Sequence, residues 1–200
     1  MINLLEEYKK VERFEQALSA YTGAPYVICV DSCTNALSLC MKYSKVESII
    51  LPANTYVGVA MAALNTGINV RFEDILWQGL YRIQPTNIYD SAKRFTSDMY
   101  IPGSFMCLSF HYKKHLKIGR GGAILTDSST ACEWFRLARN CGRRIDIPLS
   151  QQTFTVQGYN MLLHPDLAEK GLKLLKKQKK TNTDLPFEIY GDLREQIKLN

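Results

Sequence analysis

Residues 26–41 read Tyr26-Val27-Ile28-Cys29-Val30-Asp31-Ser32-Cys33-Thr34-Asn35-Ala36-Leu37-Ser38-Leu39-Cys40-Met41. The first five form a short apolar run rich in β-branched residues. Asp31 to Thr34 are helix-capping types, and Ala36, Leu37, Leu39, Cys40 and Met41 resume helical spacing. The stretch reads as strand, turn, helix. The same order recurs downstream, where residues 48–51 are an apolar strand broken by Pro52 and Asn54-Thr55 stand ready to cap a helix reaching about Asn65. Upstream, Leu4, Leu5, Tyr8, Val11, Phe14, Ala17 and Leu18 mark an amphipathic helix that Gly23 ends.

Further strands are expected over 69–72, 86–89, 105–110 and 123–126, the second delivering Asp90 at its carboxyl end. Thr130 and Glu133 match a capping box for a helix running to Gly142, and Pro165 opens another. Strands alternating with helices predict a three-layer α/β protein: a mostly parallel sheet of about six strands with helices on both faces. Ligands of such sheets sit beyond the carboxyl ends of strands, where Ser32, Tyr56, Asp90 and Lys114 all fall.

Composition agrees with one globular domain. The chain has 200 residues, 46% hydrophobic and 22% charged, which excludes disordered, collagenous and coiled-coil classes. A formal charge of +6 favours an anionic ligand. Cysteines 29, 33, 40, 107, 132 and 141 lack the CxxC pairs of a zinc site, so no metal is expected. With no secretory leader before Met1-Ile2-Asn3, they read as reduced thiols of a cytoplasmic protein. Apolar stretches such as residues 57–64 are far shorter than the roughly 20 needed to cross a bilayer. The lysine-rich segment 173–180 reads first as a solvated helix end, with contact to nucleic acid as the minor alternative.

Three polar features call for a common explanation: the turn Ser32-Cys33-Thr34, Asp90 at a strand end, and Lys114 within Ser109-Phe110-His111-Tyr112-Lys113-Lys114. Pyridoxal phosphate would use all three. Its phosphate needs donors at a helix N-terminus, its ring nitrogen needs a carboxylate, and its aldehyde needs a lysine amine that afterwards serves as the base. Thr34, Asp90 and Lys114 fit those needs.

From about residue 14 to 175 the chain resembles the DegT/DnrJ/EryC1/StrS sugar aminotransferases, which are fold type I pyridoxal-phosphate enzymes. Ser32-Cys33-Thr34-Asn35-Ala36-Leu37 resembles their S-[GC]-T-x-A-L phosphate turn, and Pro52-Ala53-Asn54-Thr55-Tyr56 their P-x-x-T-[YFW] segment. Asp90-Ser91-Ala92 resembles D-[AS]-A. Residues Ser109 to Lys114 with Gly119-Arg120-Gly121-Gly122 resemble S-F-x-x-x-K followed by G-[ED]-G-G, and Gly158-Tyr159-Asn160 is similar to G-x-N. The resemblance implies that Lys114 bonds the cofactor and moves the proton, Asp90 holds the pyridinium, and Tyr56 stacks on the ring. Cys33, Thr34 and Ser109 would hold the phosphate, joined by Asn160 from the neighbouring subunit, which makes the protein a homodimer. The implied reaction moves an amino group from an amino acid, glutamate being first choice, to a keto-sugar carried on a nucleotide.

Some positions depart from the family pattern. Lys93 stands where Gln or His is usual beside the cofactor's phenolic oxygen; a second cation there either favours the phenolate or points to solvent. Arg120 replaces the acidic residue of the glycine-rich turn, and Leu162 replaces an arginine. Full members are nearly twice as long, which implies a minimal or truncated one: a core over 1–180, a short tail over 181–200, and a C-terminal small domain largely missing. Only about 12 residues separate Asp74 from Thr86, near the minimum for a parallel crossover, so the sheet is expected to be one unit short, with the strand at 121–126 antiparallel. Alternatives left open are a pyridoxal-phosphate dehydratase, a scaffold that keeps the cofactor without turnover, and a basic module contacting nucleic acid.

Overall fold

The computed structural model describes residues 4–198. Residues 1–3 and 199–200, which the expected core and tail include, lie outside them. Helix α1 (Leu4–Thr22) ends where Gly23 takes a left-handed φ of 77°. It is followed by β1 (Tyr26–Val30), α2 (Cys33–Ser44), β2 (Ser48–Pro52), α3 (Val57–Leu64) and β3 (Asn69–Glu73). Then come β4 (Tyr81–Ile83), β5 (Ile88–Asp90), β6 (Phe105–Ser109), β7 (Gly122–Thr126), α4 (Ser129–Ala138), α5 (Pro165–Leu175) and α6 (Leu193–Gln196).

Five strands form one sheet in the order β1-β7-β6-β5-β4, and β2 pairs with β3 in parallel. The two parts meet at an antiparallel bridge, where the Ile50 amide donates to Gln84 O at 2.8 Å. Following the pairings, five of the seven strands among the described residues run one way, and β4 and β7 run against them. The antiparallel strand at residues 122–126 is as expected; β4 makes the count seven rather than six.

Strand β4 lies in the short linker. With too few residues for a helical crossover, the chain reverses instead, and an antiparallel neighbour needs only a turn. The Thr86 amide and hydroxyl both donate to Ile83 O, and Thr86 Oγ1 accepts from the Ile88 amide. Thr86 therefore belongs to the turn, and β5 begins at Ile88 rather than at residue 86. The resulting register sets Tyr81 opposite Asp90.

Strands β1, β6 and β7 are buried on both faces, which explains their unbroken apolar runs. Alternate residues divide between two cores. Ile28, Val30, Cys107 and Ile124 pack with Leu37 and Met41 of α2, Ala60 of α3 and Phe135 of α4. Val27, Cys29, Met106, Leu108 and Leu125 pack with Phe14 and Leu18 of α1 and Ala168 of α5. Gly122 permits a close approach between layers: a Cβ there would lie 2.5 Å from the Cys33 amide nitrogen. The first turn of α2 thus rests directly on β7.

Helix α4 starts earlier than its capping-box reading. Ser128 is the cap, its hydroxyl accepting from the Ala131 amide at 3.2 Å, and Thr130 is an exposed residue within the first turn. The helix ends at Ala138, short of Gly142. At α3, Tyr56 occupies the N-cap with no side-chain bond, so Asn54-Thr55 do not cap it.

Residues 181–198, the described part of the expected tail, fold back as a strap. Arg94 holds Asp184 with two bonds of 2.8 and 2.6 Å, and the Leu185 amide donates to Lys93 O. Farther on, Leu193 is 1% exposed within the core, and its amide donates to Ala53 O.

Two stability measurements check this description. Ser128→Ala is expected to cost about 1 kcal/mol in urea unfolding and Thr130→Ala less than about 0.5 kcal/mol; the reverse order would restore the capping box. Leu193→Ala is expected to cost about 2–5 kcal/mol, as for a buried core leucine, whereas a loss below about 1 kcal/mol would mean that the strap is not part of the cooperative fold.

Candidate active site

The carboxyl ends of β5 and β6, the N-terminus of α2 and the strap enclose a cleft of about 930 Å³. Cys33, Thr34, Tyr56, Asp90, Lys93, Ser109 and Lys114 all line it. Of the residues expected at the site, Asn160 stands apart: it is exposed, outside the cleft, and fixed by a bridge to Asn140.

Asp90 is buried at the end of β5. One carboxylate oxygen accepts from the Ala92 amide at 2.9 Å and the other from the Tyr81 hydroxyl at 3.2 Å. Tyr81 in turn shares a 2.8 Å hydrogen bond with Thr55 Oγ1. Among the described residues no cation lies within ion-pair distance of this carboxylate. Burial pushes its pKa up; the Ala92 amide, the Lys114 charge, the Tyr81 hydroxyl and the Lys93 charge pull the other way without cancelling it. Burial, then the Asp90 charge, push the Tyr81 phenol well up, so it remains a donor.

The phosphate-turn residues open α2. Ser32 Oγ accepts from the Asn35 amide and Ser32 O from the Ala36 amide, so Cys33 and Thr34 supply the remaining amides of the first turn. Burial and the nearby Asp90 charge push the Cys33 thiol well up, which keeps it protonated. Tyr56 is 55% exposed, and its ring lies against Gly58, where a Cβ would come within 2.5 Å of the ring and 3.0 Å of Thr34 Oγ1. Glycine at that position leaves room for both side chains on the cleft wall.

Lys114 sits in a tight turn, its amide donating to His111 O at 2.8 Å. The loop closes below it, where Phe110 N donates to Gly121 O and His111 pairs with Gly119. Arg120 reaches from the glycine-rich turn to Asp31 at 3.3 Å.

Lys93 does not point to solvent. Its side chain is 4% exposed, and its ammonium donates to Pro186 O at 2.7 Å and lies 3.3 Å from Glu188 Oε2. Burial pushes this ammonium's pKa down, with Glu188 opposing.

Sequence reasoning missed Trp77, Tyr81, Glu188 and Tyr190. Trp77 packs on Tyr81, Phe187 and Tyr190, so the linker and the strap close one side of the cleft together. The signal available was composition: Leu185, Phe187, Ile189, Tyr190 and Leu193 are too apolar for a solvated tail.

These features define an α/β protein whose ligand cleft lies at the carboxyl ends of its strands, against a helix N-terminus. A family model, described as the DegT/DnrJ/EryC1/StrS aminotransferase family, matches residues 2–99 and 101–185, and the chain belongs to that family. It is 32% identical over 74 residues to the spore coat polysaccharide biosynthesis protein SpsC of Bacillus subtilis, covering 36% of this chain and 19% of that protein. Its fold is that of AtS13 from Actinomadura melliaura, with a TM-score of 0.74 and 19% identity over 84% of this chain and 59% of that one. It is likewise similar to Helicobacter pylori PseC, an aminotransferase involved in the biosynthesis of pseudoaminic acid, with a TM-score of 0.72 and 19% identity over 87% and 61%. The chain therefore spans about three fifths of the length of these solved relatives and a smaller share of SpsC. The fold is that of the fold type I pyridoxal-phosphate aminotransferases.

Asp90 gives a pH prediction. A carboxyl whose folded pKa lies above its unfolded value binds protons more tightly in the folded state, so its ionisation removes stability as pH rises through the folded pKa. Asp90→Asn is therefore expected to melt higher than the parent at pH 7 without added cofactor. That advantage should vanish below about pH 3.9, where the unfolded carboxyl is also protonated. A variant melting at or below the parent at pH 7 would contradict the assignment.

Proposed function

We propose that this chain is a pyridoxal-phosphate-dependent aminotransferase that moves an amino group from an amino acid, with glutamate as donor, to a keto group on a nucleotide-linked sugar. The observation that carries the reading is Asp90: a buried carboxylate bonded only by neutral donors, in one cleft with the Lys114 amine and the open first turn of α2. A protonated ring nitrogen would supply the positive partner this carboxylate lacks. The amides of Cys33 and Thr34 and the Thr34 and Ser109 hydroxyls form a donor set suited to a phosphate at a helix N-terminus, while the Cys33 thiol donates to Cys107 O at 3.6 Å. The residues present fit the group.

When bound, pyridoxal phosphate supplies an aldehyde that condenses with amines and a ring that takes up the electrons released when a substrate carbon loses its proton. The chain's own residues do the rest. Lys114 would hold the aldehyde end and would carry the proton to and from the amino-bearing carbon of the substrate. Asp90 would hold the ring nitrogen in its protonated form, and Tyr81 and the Ala92 amide hold Asp90 in place. Tyr56, on the cleft wall, would hold the ring. Arg120 and Lys113, both on the rim, suit the phosphates of a nucleotide carrier. The exposure of Asn160 outside its own cleft supports the reading that it serves the site of a second copy in a homodimer. The roles of PseC and SpsC, in the biosynthesis of pseudoaminic acid and of spore coat polysaccharide, support a sugar as acceptor. Six unpaired cysteines support a reducing, cytoplasmic setting.

Adding pyridoxal phosphate to the purified protein is expected to produce the visible absorption of lysine-bound cofactor. Borohydride treatment should then leave the cofactor mass on the peptide containing Lys114. Lys114→Ala should lose both signals and reduce turnover with glutamate and a keto-sugar nucleotide by several orders of magnitude. Retention of the absorption in that variant, or its absence from the parent, would overturn the reading.

A further inference from the structure

We infer that Lys93 is a carboxylate-binding subsite of the cleft, and that Glu188 occupies it from within the chain until a carboxylate-bearing ligand exchanges with it.

A lysine side chain only 4% exposed needs partners for its ammonium, because an unpaired buried charge is strongly destabilising. Among the described residues, every partner of Lys93 comes from the strap: Pro186 O at 2.7 Å, Glu188 Oε2 at 3.3 Å, and the Tyr190 ring with its centroid at 5.6 Å. The Glu188 contact is loose. Charge-assisted bonds of this type usually close to about 2.7–2.9 Å. The same Oε2 atom also accepts from the Tyr190 hydroxyl at 2.7 Å, whereas Oε1 has no hydrogen bond among the described residues. Glu188 keeps 45% of its side chain exposed. A buried cation is thus neutralised by a half-exposed carboxylate using one of its two oxygens.

The donors at this point, one ammonium and one phenol, match a carboxylate's two oxygens. The phosphate-type donors lie elsewhere in the cleft, at the first turn of α2. Lys93 is also electrostatically coupled to Lys114 and Asp90, so an anion bound to it sits within the field of the reacting groups. Glu188 is chemically the distal half of a glutamate molecule. On the transamination reading proposed above, on which this choice of ligand rests, the exchanging group is a carboxylate of the amino-acid donor.

The test uses glutarate, a dicarboxylate with no amine to react, titrated into the protein without cofactor. Trp77 reports on the strap, packed 5.6 Å from Phe187 and 6.5 Å from Tyr190, and Trp134→Phe removes the second tryptophan, which packs against Tyr43 and Phe135. Glutarate is expected to change Trp77 emission saturably, whereas the neutral diamide glutaramide does nothing. Glu188→Gln should tighten glutarate binding about tenfold by removing the competing charge, and Lys93→Met should abolish the response. An equal response to glutaramide, no tightening in Glu188→Gln, or no saturable response in that variant overturns the inference. Should Lys93→Met fail to fold, the Glu188→Gln and diamide comparisons decide alone. The readout is independent of cofactor capture at Lys114: a visible cofactor band without a glutarate response sinks the subsite only, and the reverse sinks the cofactor reading only.

Discussion

A carboxylate kept in a dry place is expensive, and the architecture around Asp90 is arranged to hold it there. Asp90 ends a strand paired with β6, which is buried on both faces, so the backbone brings it to the boundary between core and cleft. Its two bonds from neutral donors orient the carboxylate without neutralising it. A salt bridge would have relieved the desolvation cost and removed the site's capacity to attract a cation from outside. On the function proposed above, stability lost here would return as binding energy for a positively charged ring atom.

That arrangement depends on the shortened linker. A parallel crossover between β3 and β5 would have placed another parallel strand beside β5. The reversal at residues 84–87 instead sets Tyr81 directly opposite Asp90 and carries its hydroxyl to both the carboxylate and Thr55. The hairpin also leaves Trp77 at the edge, where the strap covers it. One short connection therefore affects topology, the hydrogen bonding of the acid and the wall of the cleft together.

Much of this was legible in the sequence because it is local. Residues 26–41 carry strand, turn and helix in their own spacing, and the strand-end positions of Asp90 and Ser109 follow from apolar runs that stop abruptly. Capping was less legible: both Ser128 and Thr130 are capping types, and only the path from Asp127 into α4 selects the former. Tyr81 was invisible because its role comes from register across a hairpin that no hydrophobic period announced in three residues. Glu188 and Tyr190 were hidden for a different reason. Their contacts with Lys93 span roughly 95 residues, and long-range pairing leaves no trace in local pattern.

Lys93 ties these observations together. An ammonium three residues beyond Asp90, in a cleft that already holds Lys114, would leave two amines facing one carboxylate if the strap were absent. Glu188 supplies the second negative charge, and Pro186 O and the Tyr190 ring complete the cation's surroundings. Arg94, next along the chain, pins Asp184 on the same strap, so adjacent basic residues fasten it at two points. The basic residue after the acid and the folded-back segment 181–198 are therefore two halves of one solution. Without the strap Lys93 would lose Pro186 O, Glu188 and the Tyr190 ring together, and without Lys93 the strap would lose the anchor that brings Glu188 and Tyr190 to the cleft.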